Sequence, residues 1–280
     1  MKKRERLSTF IGELILLIAS IIMMIPVYYF IIGAMKGRVE IVRYPLKITI
    51  EWIKENFVKN FSYAWDKMKM LESIKNTGTI TLVSLVFVII CGSLAGFAIA
   101  RVERKAFRLY YSLLIALMVI PFIGCLIPIV VQSTQLGTYG TLLGCILVQT
   151  AWNLPFSVFL YTGFMQGLPK ELEEAAYIDG CSMIGTYFKI FLPLLAPVTA
   201  TCCIRAGMGM WNDYLVSSSL LNVNKYSTLM VQIKKFFGNR KTEYGYAFAG
   251  IILASLPIIV MFLFLQKYFI KGLAAGAVKG

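Results

Sequence analysis
Six apolar runs limit what this chain can become. They cover residues 11–33, 80–100, 109–131, 142–164, 191 to about 215, and 246–269. About 20 apolar residues cross a bilayer as a helix, and inside hydrocarbon the backbone must satisfy its own hydrogen bonds. The chain is therefore expected to be an all-α polytopic membrane protein with six transmembrane helices. Composition agrees: 58% of residues are hydrophobic and 15% charged, against about 45–50% and about 25% in soluble domains. Pro121 and Pro128 should kink the third run and Pro155 should interrupt the fourth, while Pro257 lies inside the sixth.

The polar segments differ in character. Met1-Lys-Lys-Arg-Glu-Arg followed by an apolar stretch looks like the start of a signal peptide. The run is longer than a typical signal core, and no small-x-small cleavage pattern is obvious before Lys36, so a retained span is expected. Residues 34–76 are charged and aromatic and alternate enough to form short amphipathic helices at an interface. The layout is then a terminus at 1–10, a first span at 11–33, an external loop at 34–76, a five-span body at 77–270 and a tail at 271–280. The net charge of +14 is spread over every polar segment, which suits lipid headgroups rather than nucleic acid. Charge alone does not decide orientation, because basic clusters lie on both sides of the layout.

Cys91, Cys125, Cys145, Cys202 and Cys203 sit in apolar runs and Cys181 in a polar loop, a pattern of small hydrophobes rather than a disulfide framework. The chain has no histidine, which excludes His-based zinc sites, proton relays and triads. No phosphate-binding G-x-x-x-x-G-K-[ST] motif is present, so no catalytic constellation and no metal or cofactor site is expected on this chain.

Between the fourth and fifth runs lies a polar island, Glu174-Ala-Ala-Tyr-Ile-Asp179-Gly180, followed by Phe188-Lys-Ile-Phe-Leu-Pro193 and Pro197. Pro169 suits the first turn of a helix, and Glu171, Glu173 and Glu174 complement its positive end. Leu172, Ala175 and Ala176 should form a narrow face. Gly180 tolerates the left-handed stop, Ser182 can cap a second helix, and Pro193 should end or bend it. The expected product is two short helices joined by a glycine corner, a shape that an ordinary connector between spans would also have.

The full pattern is more specific than that shape. It resembles the EAA loop of bacterial ABC-importer permeases. Trp211-Asn212-Asp213-Tyr214, Asn76-Thr77, Gly96-Phe97-Ala98 with Ala100-Arg101, and the run from Gln266 to Gly280 are similar to the maltose-type G-like carbohydrate permease subunit. The resemblance spans residues 76–280. It implies a coupling-helix loop at about 167–191 that docks on a cytoplasmic ATPase, with Glu174, Ala175, Ala176, Asp179, Gly180 and Cys181 in contact. Cys181 stands where that family more often has alanine, a residue of similar size.

Further expectations come with the resemblance. The chain would form half of the pore of an ATP-driven, binding-protein-dependent sugar importer in the bacterial cytoplasmic membrane, both termini inside. Its partners would be a second, maltose F-type-like permease, two ATPase subunits carrying ATP and magnesium, a sugar-binding protein outside the cell, and the sugar. Gly276, Ala277, Val278, Lys279 and Gly280 would reach the nucleotide-binding dimer.

Trp152, Asn153, Arg205, Asn212 and Asp213 are candidates for the pore or substrate path, since sugars favour aromatic faces with amide and charged partners. Belt tryptophans and interhelical asparagines are the structural alternatives, and for residues 211–213, near the outer end, structure or binding-protein docking is the preferred reading. Arg205, deep in an apolar run, must face protein or water; it meets a carbonyl, a partner or the pore, or it clamps helices. Asp213 lies about 12 Å along a straight helix from it. The alternative function is an ion-coupled secondary transporter, which would need midplane carboxylates, and Glu13 and Asp213 lie near span ends. A structural or assembly membrane protein is the third option.

Overall fold
The computed structural model describes residues 2–238 and 243–277, with side chains for 9–264 apart from 239–242, and for Gln266. Helices account for nearly all of it. They are α1 (Lys2–Gly33), α2 (Arg38–Arg43), α3 (Ile50–Lys67), α4 (Met70–Arg101), α5 (Lys105–Leu117), α6 (Phe122–Gln135) and α7 (Leu142–Gln166). There follow α8 (Glu171–Ile178), α9 (Met183–Thr186), a π-helical turn at Tyr187–Phe191, α10 (Leu192–Leu194), α11 (Ala196–Trp211), α12 (Leu215–Leu220), α13 (Leu229–Lys234) and α14 (Tyr244–Ala277).

Four helical stretches are long and apolar enough to cross a membrane unbroken: Thr9–Gly33, Met70–Arg101, Leu142–Gln166 and Tyr244–Phe264. Two bent pairs bring the number to six if each counts as one span. The helices α5 and α6 meet at 107°, and Met183–Leu194 meets α11 at 71°. The first break falls at Pro121, the residue before α6. Proline restricts the residue before it and starts a helix without wasting a donor, so the expected kink becomes a corner. Pro128 is absorbed inside α6. Pro155 does not interrupt the fourth run, contrary to expectation; α7 is one helix through it. Neighbouring helices in a membrane protein can re-satisfy the backbone around such a proline.

The chain forms two compact units, Met1–Met70 with Gln232–Leu256, and Leu71–Val231 with Pro257–Gly280. In the first, α2 and α3 occupy the segment predicted to hold amphipathic helices. Thr49 caps α3 by accepting from Trp52 N. Lys36 is buried and donates to the carbonyls of Tyr44 and Pro45 at 2.9 and 3.0 Å. Burial draws its ammonium below the usual lysine range. Asn60 Nδ2 donates to Ala34 O and Lys36 O, and Phe248 packs edge-on against Tyr29 and Phe30.

In the second unit α4 and α7 pack closely, and α5, α11 and α12 pack on α7 as well. Lipid tails are as apolar as the side chains, so helices associate there through contact and hydrogen bonds, and small residues let backbones approach. Gly92 and Gly96 lie four apart on α4 and face Ser157 and Tyr161 of α7. A β-carbon on residue 96 would stand 2.7 Å from Tyr161 Cβ and 3.0 Å from Thr162 N. Ser84 Oγ donates to Ile146 O and Ser157 Oγ to Val88 O across the same pair. Tyr161 OH donates to Thr199 Oγ1 at 2.9 Å, bringing in α11. Packed around these contacts is a core that includes Val88, Phe97, Tyr161, Met165, Tyr187 and Phe191.

Gly96→Val should lose stability by about 1–3 kcal/mol or more, the usual effect of overpacking. The effect should be larger because backbone stands in the way. Gly78, on the same helix, has open space around its position, so Gly78→Ala should be neutral or stabilising by up to about 1 kcal/mol. Thermal unfolding of both variants in detergent, with monodispersity as the second readout, checks the contrast.

Candidate functional site
The polar island folds into a helix, a glycine corner and a second helical stretch. The first helix, α8, carries Glu171, Glu173 and Glu174 in its first turn. Pro169 lies just before the helix rather than in its first turn; Lys170 is the capping position. At the other end, Gly180 has φ +77°. Its N–H donates to Tyr177 O at 3.0 Å, and Cys181 N donates to Ala176 O at 2.9 Å. These are the paired bonds of a Schellman stop, which satisfies the last carbonyls of a helix and favours glycine at the left-handed position. Ser182 Oγ then accepts from Gly185 N at 3.2 Å and caps α9. Continuous helical turns run through the π segment to Leu194, and the chain bends at Leu195, next to Pro193 and Pro197.

The predicted small-residue face is divided. Ala175 is exposed, but Ala176 is only 2% exposed and packs inward. Adjacent helical residues point about 100° apart, so Ala175 and Ala176 cannot share one face. Exposure is greatest at Tyr177 and Ile178, at 82% and 83%, with Ile184 and Met183 beyond the corner. Glu174, Asp179 and Gly180 are exposed beside them, and Cys181 is half-buried. The sequence reading missed these apolar residues, although their presence inside a polar island was a visible signal. A cavity of about 490 Å³ opens here, lined in part by Phe97, Glu174, Tyr177, Ile178 and Cys181.

Inside the loop, one of the acids is already engaged. Arg101, the last residue of α4, places Nε 2.7 Å from Glu173 Oε1. Its Nη2 donates to Met165 O at 2.9 Å and Leu168 O at 3.1 Å, and its guanidinium lies 5.0 Å from the centre of the Phe191 ring. The arginine side chain is 4% exposed and the glutamate 32%. Stripping a buried charge of its partner costs about 3–5 kcal/mol, less here for the solvent that reaches Glu173. A second pair, Lys170 with Glu103 at 3.2 Å, is exposed and contributes little. Tyr187, first residue of the π turn, meets Ser93 of α4 hydroxyl to hydroxyl at 2.7 Å.

A second cavity, of about 480 Å³, is lined by two of the five pore candidates, Trp152 and Arg205, and a third, Asn153, bonds to Arg205. Trp152, Phe156 and Arg205 line it, with Gln132 and Ser133. Buried Asn153 accepts from Arg205 Nη1 at 3.1 Å and donates to Gln149 O at 2.8 Å. Arg205 also stacks 4.2 Å over Phe156, while Trp152 packs edge-on against Phe122. Arg205 thus clamps α11 to α7 and also faces the cavity. Asn212 and Asp213 are not among the lining residues. Asn212 is the exposed C-cap of α11. Asp213 accepts from Val216 N, Ser217 N and Ser217 Oγ at 3.1, 2.9 and 2.9 Å, so it satisfies the first turn of α12 from the position before the N-cap residue, Tyr214. Of the tail residues, Gly276 and Ala277 end α14; Val278, Lys279 and Gly280 lie outside the described residues. No group of three or more potential metal ligands occurs among the described residues.

Comparison with known proteins matches residues 88–274 to the family described as binding-protein-dependent transport system inner membrane component. The melibiose/raffinose/stachyose import permease protein MelC of Bacillus subtilis (strain 168) is 42% identical over 222 residues, covering 79% of this chain and 80% of that protein. The multiple sugar-binding transport system permease protein MsmG of Streptococcus mutans serotype c (strain ATCC 700610 / UA159) is 32% identical over 288 residues, covering 100% of each chain. Among solved structures, a bacterial ABC transporter involved in import of the acidic polysaccharide alginate contains a chain with the same fold. The TM-score is 0.78 at 20% identity, covering 94% of this chain and 97% of that one.

Asp213→Ala should destabilise the protein by about 1–2 kcal/mol, the ordinary effect of losing a helix cap. Asp213→Asn or Asp213→Ser should recover most of it. Detergent melting temperatures of the three variants check the capping role.

Proposed function
Because the chain belongs to the family of binding-protein-dependent transport inner membrane components, we propose that it is the G-like membrane subunit of an ATP-driven sugar importer and couples to its ATPase through the α8–α9 loop. The single observation that carries the coupling assignment is the surface around Gly180. Tyr177, Ile178 and Ile184 are exposed around the corner, with Glu174 and Asp179 beside them. Such a surface suits a protein groove with a basic margin.

In this reading the chain hydrolyses nothing. ATP and magnesium are held by two separate cytoplasmic ATPase subunits, which close on ATP and move the docked loop. A second permease completes the pore, and a binding protein delivers the sugar from outside. Both termini, residues 101–108 and residues 167–191 are cytoplasmic; residues 34–76 and 220–244 are external. The tail from Gly276 onward reaches the nucleotide-binding dimer. Sugar as substrate is supported by the names of the relatives and by the cavity, where Trp152 offers an aromatic face and Arg205, Gln132 and Ser133 offer polar groups. An ion-coupled transporter would need carboxylates near the bilayer midplane. None of the residues lining the cavity is acidic.

Glu174→Lys should abolish transport in proteoliposomes while the permease pair still assembles, because it reverses a charge offered to the ATPase. Gly180→Pro should do the same by forbidding the left-handed backbone and removing the donor to Tyr177 O. Wild-type uptake by both variants at equal expression would remove the coupling role.

A further inference from the structure
We infer that Arg101 is the positioning residue that fastens the docking helix to the membrane spans, so that a pull on α8 is delivered to α4 and α7 together. The inference rests on the coupling role assigned to α8 above. It comes from what a single guanidinium touches. Arg101 ends α4; its Nη2 holds two carbonyls at the end of α7, Met165 O and Leu168 O; and its Nε pairs with Glu173 in the first turn of α8. Phe191 covers it from the π turn.

Three features make this a device for transmission rather than a surface ion pair. First, Arg101 adds side-chain bonds to the backbone ones that already close α7, where Leu168 N donates to Met165 O at 3.0 Å, so the end of that helix is tied to α4 as well as to itself. Second, the connection between α7 and α8 is only residues 167–170. A short linker with no further tie would hinge; with one guanidinium holding Met165 O and Leu168 O and facing Glu173, it cannot swing without giving up two hydrogen bonds or an ion pair. Third, the planar guanidinium lets Nη2 donate to two carbonyls while Nε stands beside the Glu173 carboxylate as an ion pair without a hydrogen bond, an arrangement a lysine ammonium does not reproduce. Burial of the arginine keeps the pair from being screened as an exposed pair would be.

Division of labour among the acids follows. Glu173 is turned inward to Arg101, while Glu174 stays exposed for the partner. Adjacent carboxylates on one short helix therefore do different work, one fixing the helix to the spans and one facing the ATPase.

The test uses the assembled importer with both permeases, the ATPase subunits and the sugar-loaded binding protein. ATP hydrolysis and sugar uptake are measured together in proteoliposomes. Arg101→Gln and Glu173→Gln should leave the ATPase subunits bound and hydrolysing, but raise the ATP consumed per sugar by about tenfold, within the usual range of coupling free energies between sites. Arg101→Lys should fall between wild type and Arg101→Gln. Unchanged ATP-to-sugar ratios in the glutamine variants would overturn the inference. If Arg101→Gln fails to assemble, Glu173→Gln decides, because its side chain is partly exposed and its loss leaves the carbonyl contacts of Arg101 in place. Failure of the coupling assignment itself would look different: Glu174→Lys would then keep full ATPase binding and uptake.

Discussion
Helices in lipid gain nothing by hiding apolar surface from one another, so this chain depends on the few places where backbones touch and polar groups meet. The contact of α4 with α7 is one of them in the larger unit. Gly92 and Gly96 remove the side chains that would keep the two helices apart. The serine bonds from Ser84 and Ser157 then add direction to the contact. Everything at one end of this pair hangs on it. The Arg101 fork closes the ends of α4 and α7, α8 is paired to that fork, and Tyr187 ties the following π turn back to Ser93.

The breaks in the apolar runs acquire a purpose in this setting. A straight fifth span would carry α9 directly into α11. The chain bends by 71° instead, one short helical turn after a π turn whose aromatic residues pack on Phe97. Such π turns often occur at functional sites. The loop side of the bend is thus bonded to α4, while its other side runs into α11, where Arg205 clamps Asn153 and borders the cavity. A continuous chain of contacts joins the exposed corner at Gly180 to that cavity.

Much of this was legible in the residues. The apolar runs located the spans, since length and hydropathy are local properties. The glycine corner was legible because Gly180 before Ser182 has few alternatives to a left-handed stop and a cap. Other features depended on which way a side chain turns. Ala175 and Ala176 read as one small face, yet the helix sends one outward and one inward. Asp213 read as a residue of the pore, of structure or of binding-protein docking, and only the fold shows that the chain after Trp211 restarts as α12 with this carboxylate bonded to its first turn. Arg101 and Glu173 lie 72 positions apart, and nothing local in either segment announces the pair. The bends at Pro121 and Leu195 were foreseen only as kinks, because proline signals a break without fixing its angle.

The central claim is that the corner around Gly180 is where this chain meets a separate ATPase. The most direct measurement is site-specific cross-linking in native membranes, with Ile178→Cys in a chain lacking its other cysteines and single cysteines placed on the ATPase subunit. Ile178 is 83% exposed in the isolated chain, so the account predicts a specific cross-link to the ATPase and protection of the thiol when that subunit is present. An assembled, active importer in which Cys at position 178 stays freely reactive and forms no cross-link to the ATPase would contradict it.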